Sequence, residues 1–66
     1  MYFERMKEAR KVAGMTQQEL AEEIGIDQRQ YSRYEQGKTE MPVRYLIAFL
    51  KATGADPREI LEKYWK

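Results

Sequence analysis

The sequence predicts an all-α fold of five short helices. Three observations carry this. No stretch alternates apolar and polar residues as a half-buried strand would, and glycines at 14, 25, 37 and 54 divide the chain into helix-length pieces. Two helix-start signatures, Thr16 with Glu19 three residues on and Asp27 with Gln30 three residues on, lie eleven residues apart and resemble capping boxes. Sixty-six residues suffice for one domain, 1–66, and leave no room for a separate ligand domain. A chain this small buries only about 60% of its unfolded surface, so it must pack efficiently.

The first helix is predicted over residues 2–13, with Met6, Ala9 and Ala13 on one face. The second covers 17–24 with Leu20, Ala21 and Ile24 inward, and Gly25 follows its last apolar residue, where a left-handed conformation is least costly for glycine. The third covers 28–36. Its inward face is Tyr31 and Tyr34, which at about 100° per residue turns Gln28, Arg29, Ser32 and Arg33 to the other side. Pro42 suits the first position of a fourth helix carrying Val43, Leu46, Ile47 and Leu50 at i, i+3, i+4, i+7, ended by Gly54. Asp56, Pro57 and Glu59 open a fifth, docked through Ile60, Leu61 and Tyr64.

Composition narrows the function. There is no cysteine and no histidine, which removes disulfides, the usual zinc ligands and the commonest general base. No nucleophile adjoins a base and no phosphate loop occurs, so the chain reads as a non-enzyme without metal or cofactor. No apolar run approaches the roughly 20 residues of a membrane span, and the N-terminus lacks a cleavable apolar stretch, which makes the cytoplasm the default compartment. Net charge is only +1, but its distribution is uneven. Residues 28–44 hold Arg29, Arg33, Lys38 and Arg44 against Glu35 and Glu40, whereas 16–26 hold Glu19, Glu22 and Glu23 and no base.

Two charges break the apolar pattern. Arg10 falls inside the inward stripe of the first helix and Glu35, four residues after Tyr31, on the inward face of the third. A buried charge is expensive unless paired, so Arg10 and Glu35 are predicted to form an ion pair between the two helices.

Arg10, Thr16-Gln17-Gln18-Glu19-Leu20-Ala21, Gly25-Ile26, Tyr31-Ser32-Arg33-Tyr34-Glu35-Gln36-Gly37-Lys38 and Pro42 together resemble the phage repressor and Cro-like helix-turn-helix family, which is lambda repressor-like in fold and XRE-type. The resemblance covers about residues 5–61. Two departures stand out: Gln36 replaces the Asn common before the glycine that ends the third helix, and tyrosines at 31 and 34 replace commoner aliphatics, adding hydroxyls that need partners. The resemblance implies a compact five-helix domain in which helices 2 and 3 form the helix-turn-helix and helix 3 enters the major groove of double-stranded DNA. It assigns base contacts to Gln28, Arg29, Ser32 and Arg33: an amide can pair with adenine N6 and N7, a guanidinium with guanine O6 and N7. Phosphate contacts fall to Gln17 and Gln18 at a helix N-terminus and to Lys38, Thr39 and Arg44 beyond the groove.

The function implied is sequence-specific DNA binding by a small transcriptional regulator or repressor. Two-fold partners would bind half-sites about 34 to 36 Å apart on a pseudo-palindromic operator. The aromatic surplus at Tyr64 and Trp65, with Phe49 or Tyr45, suggests a homodimer seam on the C-terminal helix. The alternative is a protein-interaction module of the same fold, an antitoxin or a bridging domain, with DNA binding secondary.

Overall fold

Helix α1 spans Tyr2–Val12, α2 Gln17–Ile24, α3 Gln28–Glu35 and α4 Val43–Thr53, and a short segment α5 spans Pro57–Leu61. They come from a computed structural model that describes residues 2–61, with the backbone alone at 2, 59 and 61. There is no strand among the described residues. The five-helix expectation is thus corrected to four helices of eight residues or more and one five-residue helical segment, little more than a turn. Asp56 caps that segment by accepting from the Arg58 amide at 2.9 Å. The proposed docking through Leu61 and Tyr64, and the seam at Tyr64 and Trp65, concern side chains outside the described residues.

Local signals set the helix ends. Thr16 Oγ1 accepts from the Glu19 amide at 3.1 Å while the Thr16 amide donates to Glu19 Oε1 at 2.9 Å, a complete capping box. The second signature is only half of one. Asp27 accepts from the Arg29 amide, and Gln30 turns away to donate from Nε2 to the Tyr34 hydroxyl at 2.9 Å. Between α2 and α3, Gly25 has φ +89°, which lets the amides of Gly25 and Ile26 both return to the Ala21 carbonyl.

The core is built from Met6 of α1, Leu20, Ala21 and Ile24 of α2, Tyr31 and Tyr34 of α3, Met41, Leu46 and Phe49 of the α4 region, and Ile60. A Cα radius of gyration of 10.6 Å matches the roughly 11 Å of a compact chain of this length. α2 packs on both α3 and α4, so the helix pair is braced from behind.

Two expectations at α4 are corrected. Pro42, with ψ 149°, precedes the helix as its N-cap instead of occupying the first helical position, and its carbonyl accepts from Tyr45 and Leu46. The buried face is Leu46 and Phe49, while Val43 and Ile47 are 70% and 49% exposed. The helix is rotated because Phe49, fully buried, stacks on Tyr31 with centroids 6.4 Å apart. Phe49 is therefore core and does not serve a dimer seam. Ala13, predicted inward, is exposed because α1 has already ended.

Candidate nucleic-acid interface

The third helix is held from its inner side by one carboxylate. Arg10 Nε donates to Glu35 Oε2 at 2.9 Å and Nη2 to Oε1 at 3.0 Å, a bidentate fork from α1 to α3. Tyr31 donates its hydroxyl to Oε2 at 2.6 Å and Gln17 its Nε2 to Oε1 at 3.0 Å. Each Glu35 oxygen thus accepts two hydrogen bonds. Arg10 Nη1 also donates to the Met15 carbonyl at 2.9 Å, fastening the α1–α2 turn. The side chains of Arg10 and Glu35 are 12% and 3% exposed.

These contacts set the protonation states. Burial alone would push the Glu35 carboxyl up, but the hydrogen bonds from Arg10, Tyr31 and Gln17 outweigh it and hold the carboxyl below its ordinary value. The bond to Glu35 raises the Arg10 guanidinium despite partial burial. Burial, then the neighbouring carboxylate, raises the Tyr31 phenol, so it stays protonated and can donate.

Opposite this network α3 presents its polar row. Gln28, Arg29 and Arg33 are exposed and Ser32 is half-buried. Gln36 Nε2 donates to Ser32 Oγ at 2.9 Å, which ties that hydroxyl along the helix and leaves its own proton available. Gln18 and Gln28 line one shallow depression with Glu22 and Asp27, which brings the start of α2 beside the start of α3. Lys38 and Thr39 are exposed in the loop after α3. Arg44, also exposed, lies over the Tyr45 ring at 4.8 Å from its centroid, and Tyr45 meets Tyr34 at 6.5 Å.

Gln17 differs from its sequence-based placement. The sequence assigns its carboxamide to a phosphate at the start of α2; in the structure that group donates to Glu35, which comes within reach of the α2 N-terminus. Residue spacing carries no signal for that contact, whereas the Gln30–Tyr34 bond has the i, i+4 spacing of neighbours on one helix face.

Among the described residues no three acidic side chains converge as metal ligands would. No described helix is long and apolar enough to cross a membrane.

Over residues 6–60 the sequence matches the family model described as helix-turn-helix. The chain belongs to the XRE-type, Cro-like helix-turn-helix family. In this helix-turn-helix, α2 and α3 are the motif, Gly25 lies in its turn, and the Arg10–Glu35 fork ties it to α1. The family is one of DNA-binding regulators, and its match extends through α4 to Ile60. No curated protein and no solved structure gives a significant match.

Proposed function

We propose that residues 1–66 act as one sequence-specific double-stranded DNA-binding domain, a small cytoplasmic transcriptional regulator that lays α3 in the major groove. One observation carries this most directly. The exposed row of Gln28, Arg29 and Arg33 stands on a short helix whose opposite side is fixed to α1 and α2 by three hydrogen bonds to Glu35. A base-reading helix needs this division, since side chains can discriminate bases only if the backbone behind them is held in place. Gln28, Arg29, Ser32 and Arg33 read base edges. Gln18, Lys38, Thr39 and Arg44 hold phosphates, and Gln17 joins them through its backbone amide and its second Nε2 hydrogen.

Fluorescence anisotropy across a salt series tests the proposal. A mixed-sequence duplex should bind at low salt and bind more weakly after Arg29→Ala with Arg33→Ala. Lys38→Ala should weaken all sequences alike and flatten the log–log salt slope by about one, whereas Gln28→Ala should change which sequence binds best. No binding at low salt, or binding indifferent to Arg29 and Arg33, would replace this function with the protein-interaction module.

A further inference from the structure

We propose that Lys7 and Lys11 of α1 form a second phosphate contact of the helix-turn-helix, in the groove between α1, the start of α2 and the end of α3. The inference rests on the DNA-binding function proposed above and adds an element outside the motif to the interface.

The helical period places Phe3, Lys7, Arg10 and Lys11 on adjoining positions along one side of α1. Two anchors hold that side against α3. The Phe3 ring lies so close over Gly37 that a Cβ there would meet it at 2.7 Å, and Arg10 is forked onto Glu35. Between and beyond these anchors, exposed Lys7 and Lys11 line one groove with Gln17 and Gln36. Glu4, Glu8 and Glu35 line it too. The Glu35 charge is already matched by Arg10. Glu4 and Glu8 each stand three residues before a lysine, a spacing that permits pairing, yet neither lysine is ion-paired among the described residues. The groove therefore offers two ammonium groups beside the carboxamides of Gln17 and Gln36. A phosphate diester suits that set, because lysine acts on it as a compact point charge with three donors.

The test compares the full chain with a Lys7→Gln, Lys11→Gln double variant and with Lys51→Gln, an exposed lysine at the far end of α4 from Arg44 that controls for net charge. Glutamine keeps helix propensity, and circular dichroism checks the fold. Salt-series anisotropy should show the double variant's slope reduced by about two, at roughly 0.9 per phosphate, with the preferred sequence unchanged and Lys51→Gln near wild type. Phosphate ethylation interference should show a position whose ethylation weakens wild type but not the double variant. An unchanged slope, or a loss per lysine no greater than that of Lys51→Gln, overturns the lysine contact while leaving DNA binding intact. Wild type that fails to bind any duplex overturns both.

Discussion

At the scale of single residues, Glu35 is where the fold and the interface meet. It binds α1 through Arg10, α2 through Gln17 and its own helix through Tyr31, so its loss strands three donors at once. Glu35→Ala should destabilise by about 3 to 5 kcal/mol, whereas a matched apolar pair at 10 and 35 should recover much of that loss. Urea melts of the single and double variants read the coupling, and small additive effects would remove Glu35 from its central place. The same pair has a pH signature. Because folding lowers the Glu35 carboxyl, its stabilising effect is complete above the unfolded value of about 4.3 and disappears as pH falls through the lower folded value. The stability gap between wild type and Glu35→Gln should therefore be constant near neutrality and narrow below about pH 4. Asp56, also lowered, through its hydrogen bonds from Arg58, is common to both proteins and cancels. That Arg10 and Glu35 would need each other is legible from their apolar positions alone. Tyr31 stands four residues before Glu35 on the same helix, a spacing that already permits its bond. That Gln17 shares the carboxylate is not legible, because it depends on how α2 and α3 dock.

At the scale of elements, the turns carry information that residue types reveal only in part. Gly25 and Gly37 both have positive φ, at +89° and +77°, and both close a helix. Added side-chain atoms would meet nothing within 4 Å at Gly25, but would strike the Phe3 ring at Gly37. Gly25→Ala should cost about 1 to 2 kcal/mol from the left-handed backbone alone. Gly37→Ala should cost more, and the excess should vanish in a Phe3→Ala background. Thermal melts of the four variants decide it, and equal costs at both glycines would show that Phe3 does not pin the end of α3. The caps were readable because capping chemistry acts within three residues, as at Thr16 and Glu19. The α4 face was not, because Val43, Leu46, Ile47, Phe49 and Leu50 offer two apolar stripes, and the packing of α4 on α2, with the Tyr31–Phe49 stack, chooses between them.

At the scale of the whole molecule, a domain this small covers few base pairs. We propose that it binds as a homodimer, with half-sites about 34 to 36 Å apart on one face of the duplex. Selection from a random DNA pool should return a pseudo-palindrome with that spacing, and enrichment of an unpaired site would argue for a monomer. Local rules alone determined that the chain is helical, where α2 and α3 begin, and which side of α3 faces outward, since capping and the helical period act over a few residues. Tertiary structure decided which face of α4 is buried, that Gln17 turns to Glu35, that Phe3 covers Gly37, and that Lys7 and Lys11 share a groove with Gln17 and Gln36. Each of those depends on the distance between residues remote in sequence, and only packing several helices around one core sets it.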